Sequence, residues 1–235
     1  MRVRWRRVLG GGSVLASALI LAACASTPSA ASSSRIVPSP AVASSSPTDP
    51  VVVAIGDSIM KGHGLSPSLA WPALLAQRND WKLTNLACDG AGFATVGATY
   101  DCAATFSALV AKAAKLHPDI VLISGSSNDL GVANDTLTTE TATAMQSLRT
   151  ENPSTRIVGI STVWSDTLTP PQIDDINDQV REAVQDVGGI YLDIGQPLAG
   201  HRDWLQADDV HPTAKGQQVL ARVIAGALRS AGIIG

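Results

Sequence analysis

The chain has 235 residues and a formal net charge of −3 at neutral pH, from 17 Lys and Arg against 20 Asp and Glu. Nucleic-acid recognition needs a basic face, and electrostatic docking on anionic lipid needs a basic patch; this balance argues against both. The length fits one folded domain with a terminal segment to spare.

In chain order, Arg2, Arg4, Arg6 and Arg7 open a positive segment. An apolar, Gly-rich run from Val8 to Ala23 follows, short for a membrane span. It closes in Leu21-Ala22-Ala23-Cys24, which resembles the bacterial lipobox. That resemblance implies cleavage that leaves Cys24 as a lipidated N-terminus, with plain secretion as the alternative. Residues 1–23 therefore read as a signal peptide. Its removal takes four arginines and no acidic residue, so the mature chain is more acidic still. Residues 24–50 are expected to be the lipidated end and a tether, rich in Ser, Ala, Thr and Pro and without a sustained apolar period. The folded unit is expected at 51–235.

Within that unit, apolar and amphipathic runs alternate. Val51–Ile55 is a buried strand that runs into Gly56-Asp57-Ser58. A helix is expected over Leu69–Gln77, a short strand over Trp81–Leu86, and an Ala-rich helix over Ala103–Leu116, stopped by His117-Pro118. Asp119–Ser124 is a second strong strand and Thr138–Thr150 a helix. Arg156–Ile160 is a strand, Pro170–Val187 a helix stopped by Gly188-Gly189, Ile190–Asp193 a strand and Pro212–Ser230 the last helix. Short apolar strands alternating with helices imply an α/β fold: a five-stranded parallel sheet covered on both faces, in the flavodoxin-like order 2-1-3-4-5. Ligands of such sheets bind beyond the carboxyl ends of the strands, at the switch between strands 1 and 3. Ser58 follows strand 1 and Asn128 follows strand 3, so both belong to that crevice.

Asp208 and His211 stand three residues apart before the last helix. At that spacing the carboxylate can accept the Nδ1–H of the imidazole and leave Nε2 free as a base, which a serine hydroxyl needs to attack an ester at neutral pH. Of the other histidines, His117 and His201 lie at a helix end and in a loop, and His63 is expected at the pocket rim. Asp208, Asp209 and His211 do not make a metal site, because no further ligand cluster accompanies them. With Cys24 lipidated, Cys88 and Cys102 remain; outside the cytoplasm such a pair is a disulfide, worth roughly 3 kcal/mol for a short loop.

Gly56-Asp57-Ser58, Gly90 in NLACDGAGF, Asn128-Asp129 in SGSSNDL, and Asp208-x-x-His211 occur in the order that resembles the SGNH, or GDSL-type, hydrolases. The resemblance covers the unit from its first strand to its last helix. It implies an α/β/α sandwich that hydrolyses acyl esters or thioesters without metal or other cofactor. It also implies roles: Ser58 as nucleophile, His211 as general base and acid, Asp208 as its orienter. The backbone N–H groups of Ser58 and Gly90 and the side-chain amide of Asn128 would form the oxyanion hole. Asp129 reads as a carboxylate that braces a loop. One block departs from the pattern: Ser126 stands two before Asn128, where the family carries glycine. The Gly-x-Ser-x-Gly elbow of ordinary α/β-hydrolases is absent from the chain.

The expected function is an extracytoplasmic serine esterase acting on short acyl groups, since no long apolar insertion provides a lipase lid. The expected partners are an acyl ester, an acetylated glycan among the candidates, and a membrane reached through lipid on Cys24. Two alternatives share the sequence: an acyltransferase to sugar hydroxyls on the same triad, and a non-catalytic glycan-binding lipoprotein. An intact Ser58, Asp208 and His211 weigh against the last.

Overall fold

The computed structural model describes residues 49–235. The expectations for the signal peptide, for Cys24 and for nearly all of the tether fall outside them.

Five strands form one parallel sheet: β1 (Val51–Ile55), β2 (Lys82–Asn85), β3 (Ile120–Ser124), β4 (Arg156–Ile160) and β5 (Ile190–Leu192), in the order β2-β1-β3-β4-β5. The helices are α1 (Ser58–Lys61), α2 (Trp71–Asn79), α3 (Phe106–Ala114), α4 (Asn134–Glu151), α5 (Gln172–Asp186) and α6 (Ala214–Ser230). The expected class and strand order both hold.

The strand sequences explain their stations. Every residue of β3 is buried, and in β1 only Val51 is partly open, so both strands tolerate unbroken apolar runs. The edge strand β2 exposes Lys82 and Asn85 at its ends and half-buries Leu83 and Thr84 between them. The period of two then divides the core. Val52, Ala54 and Leu122 join Leu75 of α2 and Leu220 and Ile224 of α6 on one face. Val53, Ile55 and Val121 join Phe106 of α3, Met145 of α4 and Val184 of α5 on the other. The result is the three-layer sandwich.

Three local features differ from the sequence reading. The Ala-rich helix begins at Phe106 rather than Ala103, because Ala103 adopts a left-handed φ of 48° beside the bonded Cys102. The fourth helix starts a turn early, at Asn134, with Asp135 in its first turn, where a carboxylate suits the exposed N–H groups. The four-residue α1 is too short to announce itself by periodicity. Cys88 and Cys102 are bonded to each other, closing a segment of 14 residues. Among the described residues, no helix is long and apolar enough to cross a membrane.

Candidate active site

The crevice between β1 and β3 gathers four loops. Asp57 follows the first strand by two residues and caps α1, its Oδ1 accepting the Ile59 N–H at 2.9 Å. This makes Ser58 the first residue of the helix and turns it toward the crevice, 8% exposed. The helix is held from behind by Gln217 of α6, fully buried. Its Nε2 donates to the Ile59 carbonyl at 2.8 Å and its Oε1 accepts the Trp71 N–H at 2.9 Å.

His211 comes from the loop before α6. Thr213 caps that helix, and Gln206 ties the loop down, its N–H donating to the His211 carbonyl at 2.7 Å. The Gln206 side chain also donates to the carbonyl of His63 at 2.7 Å and to that of Pro212 at 3.0 Å. So braced, the imidazole Nδ1 lies 2.7 Å from Asp208 Oδ2, and Nε2 lies 2.9 Å from Ser58 Oγ. With the carboxylate accepting from Nδ1–H, the neutral ring presents Nε2 as an acceptor for the Ser58 hydroxyl. The other Asp208 oxygen accepts the N–H groups of Val210 and His211, each at 3.0 Å. The side-chain hydrogen bond from His211, then that from its backbone N–H, holds the Asp208 carboxyl well below its ordinary 3.8. Asp209, in a left-handed turn, pairs instead with Arg202.

The facing loops carry the remaining candidates. Gly90 has a φ of +74°. A Cβ there would meet nothing closer than 3.5 Å, so the left-handed backbone, not crowding, is what asks for glycine. Neither the Ser58 N–H nor the Gly90 N–H makes a hydrogen bond among the described residues. Asn128 Nδ2 donates one hydrogen to the Ala91 carbonyl at 3.0 Å, which joins the third block to the Gly90 loop and leaves its second hydrogen unspent. Asp129, with no exposed surface, accepts the N–H groups of Phe93 (2.7 Å), Ala94 (3.2 Å) and Thr95 (3.0 Å), so it braces the loop.

Three groups escaped the sequence reading. His63 does more than line a rim: its ring packs against that of His211, tilted by 31° with centroids 4.3 Å apart, and its Nδ1 meets Asp89 Oδ2 at 2.9 Å. Asp89 also pairs with Lys61 at 3.2 Å. Ser126, where the family pattern has glycine, bonds to Asp57 and to the Ala91 carbonyl. The residue spacing that would have linked these is 26 for His63–Asp89 and 69 for Asp57–Ser126, beyond any local motif.

Two cavities adjoin the crevice. One, of about 80 Å³, is lined by Ile59, Ser127, Val163, Trp164 and Val210, neighbours in sequence of Ser58, Asn128 and His211. The other is an open groove of about 480 Å³ lined by Lys61, His63, Asn85, Asp89 and Asp101. Two further grooves, of about 330 Å³ and about 450 Å³, are lined by residues of and around α5, such as Asp178 and Arg181, and by residues near His117, such as Asn152 and Arg156. Among the described residues, no group of three or more His, Cys, Asp or Glu is arranged to hold a metal ion.

The family model for the GDSL-like lipase/acylhydrolase family matches residues 54–219, from inside β1 to inside α6. The chain belongs to the GDSL-like lipase/acylhydrolase family. No curated protein matches this GDSL-type chain by sequence. Solved structures resemble its fold. TesA shares 22% identity at a TM-score of 0.61, covering 77% of this chain and 98% of its own. The psychrotrophic esterase EstA from Pseudoalteromonas sp., inhibited by monoethylphosphonate, shares 19% at 0.62, covering 78% and 98%. The salicylyl-acyltransferase SsfX3 of a tetracycline biosynthetic pathway shares 24% at 0.61; the alignment covers 79% of this chain but only 56% of that one. At these identities the likeness is one of fold.

Proposed function

We propose that this GDSL-type protein is a serine esterase that cleaves short acyl esters outside the cytoplasm. The observation that carries the reading is the unbroken chain Asp208–His211–Ser58, with links of 2.7 and 2.9 Å.

The chemistry follows from those atoms. Ser58 Oγ attacks the acyl carbon as its proton passes to His211 Nε2. The carbonyl oxygen becomes an oxyanion facing the Ser58 and Gly90 N–H groups and the spare Nδ2 hydrogen of Asn128. Preorganised donors of this kind each contribute on the order of 10²–10³ in rate. His211 returns the proton to the departing alkoxide, which leaves as the alcohol and an acyl-Ser58 ester. Water, deprotonated by His211, then attacks that ester, and collapse of the second intermediate releases the acid and restores Ser58. Asp208 holds the ring in one tautomer and steadies the imidazolium that forms twice per cycle.

The acyl group is short in this reading. The cavity of about 80 Å³ lined by Ile59, Ser127 and Val210, sequence neighbours of Ser58, Asn128 and His211, is small against the roughly 300–1,000 Å³ typical of sites for drug-sized ligands, and no long apolar insertion supplies a lid for a longer chain. A sugar hydroxyl in place of water would make the same machinery an acyltransferase, the activity named for the fold neighbour SsfX3. The extracytoplasmic setting is supported by the Cys88–Cys102 bond and by the run Leu21-Ala22-Ala23-Cys24, with lipid on Cys24 as the anchor.

A panel of nitrophenyl esters from acetate to palmitate, run beside acetylated xylan and with and without a sugar acceptor, tests this. The expected result is kcat/KM highest at two or three carbons and free acid as the main product. Flat or rising activity toward palmitate would remove the short-acyl reading, and acylated sugar as the main product would replace hydrolysis by transfer.

A further inference from the structure

Ser126 is fully buried, and its Oγ lies at the meeting point of three loops. It sits 2.9 Å from Asp57 Oδ2 and 2.9 Å from the Ala91 carbonyl oxygen, and it accepts the Asn128 backbone N–H at 3.1 Å. A hydroxyl owns one proton. It can give that proton fully to the carboxyl or to the carbonyl, not to both. Were Asp57 ionised, one of these two close oxygen pairs would have no proton between them, in a place closed to solvent, which buried polar groups rarely tolerate.

A proton on Asp57 Oδ2 removes the conflict. Asp57 then donates to Ser126 Oγ, and Ser126 donates to the Ala91 carbonyl. Asp57 Oδ1 still accepts the Ile59 N–H at 2.9 Å. The Ala91 carbonyl receives Ser126 on one side and Asn128 Nδ2 on the other. Each oxygen has a partner of the right kind.

We propose that Asp57 is a neutral carboxylic acid in the folded protein and heads a proton-ordered chain, through Ser126 to the Ala91 carbonyl, that positions both Gly90 and Asn128. Asp57 and Ser126 are positioning residues in this scheme. Its functional meaning rests on the reading of Gly90 and Asn128 as oxyanion donors. One hydroxyl, present because Ser126 replaces the glycine of the family pattern, ties the nucleophile loop to both donor loops. The neutrality has a use as well. An anion one residue from Ser58 would oppose the negative charge that grows on the acyl oxygen, whereas a neutral acid does not.

The surroundings agree. Asp57 shares a cavity of about 10 Å³ with Ile59, Met60, Trp71, Val163 and Ile224, and its lining holds no other ionisable group. Burial pushes the carboxyl above its ordinary 3.8, against the pull of the Ser126 hydroxyl, the Ile59 and Met60 N–H groups and the charge on His211 when that ring is protonated. On the donor-loop side the buried carboxylates are Asp129, occupied by three backbone N–H groups, and Asp89, paired with Lys61 and His63.

Carbon-13 NMR of the backbone-assigned protein tests this by following the Asp57 carboxyl carbon against pH. The expected result is a carboxyl carbon that keeps its protonated shift through neutral pH, with any titration step above it. A step below neutral pH overturns the proposal. Two variants provide the second arm. An amide can donate to Ser126 and accept from Ile59 as the neutral acid does, so Asp57→Asn should keep kcat within about threefold of the parent, while Asp57→Ala should lose at least about tenfold, with KM moved by less than about twofold in both. Equal losses in the two variants would overturn it too. The titration needs no turnover, so an inactive protein with a high-titrating Asp57 would count against the esterase reading alone.

Discussion

Asp208 is nearly half exposed, yet its carboxylate accepts three hydrogens from the turn that follows it, one from the His211 ring and two from backbone N–H groups. Those bonds explain its lowered proton affinity, and the sign has a consequence. A carboxyl whose folded value lies below its unfolded 3.8 favours the fold above that pH, and the contribution fades as pH falls through the folded value. Asp208→Asn should therefore flatten the loss of thermal midpoint in strong acid, a small effect at an exposed site, measurable by calorimetry across pH. Its catalytic cost should be large, on the order of 10²–10⁴ in kcat, because the amide no longer fixes the tautomer. Ser58 and His211 should behave as one unit. The double change Ser58→Ala/His211→Ala is expected to be little worse than either single change, and losses that multiply would break the shared mechanism.

Among the elements, the loop from Cys88 to Gly97 depends most on its supports. Three of its N–H groups end on Asp129, and a Cβ at Gly92 would fall 2.3 Å from Asp129 Oδ1. Gly92→Ala must displace that carboxylate or the loop. The expected outcome is a drop in kcat of at least about tenfold, from misaligned donors, with a smaller change in KM. The disulfide holds the same loop from its other side. Replacing Cys88 and Cys102 by alanine should cost roughly 3 kcal/mol. In a domain of this size that is a midpoint lower by roughly 6–12 °C. Turnover should fall as well. An unchanged midpoint would show that the bond does not support the fold.

The same loop shows where the sequence stopped speaking. Gly90 and Cys88 stand out as residue types, and β-branched runs such as Val51–Ile55 and Ile120–Ser124 declare buried strands because a central parallel strand has no polar face to offer. Ser58, Asn128, Asp208 and His211 were legible because motif order and strand ends bring them to one crevice. Ser126 was visible only as a departure from a pattern. Two of its three partners, Asp57 and Ala91, come from loops distant in the chain, and a hydroxyl carries no periodicity. The packing of His63 against His211 and its bond to Asp89 were hidden for the same reason. The left-handed Ala103 was missed because alanine is a strong helix former and tertiary closure overrides it.

Taken whole, the molecule joins a crevice at the switch point of a parallel sheet to a hydrogen-bonded Asp–His–Ser chain. The proposed anchor is separate from that machinery. Cys24→Ser should abolish incorporation of labelled palmitate and leave turnover of a water-soluble ester unchanged, as cell fractionation and assay of each fraction would show. Label retained in the variant would remove Cys24 as the attachment point. The central claim is that Ser58, activated by His211, is the nucleophile. Labelling with a fluorophosphonate, followed by peptide mass spectrometry, addresses it most directly. The account predicts one modified residue, Ser58, with labelling lost in Ser58→Ala and strongly slowed in His211→Ala while both variants keep the parent fold. Modification at another serine, or undiminished labelling and ester turnover in Ser58→Ala, would contradict it.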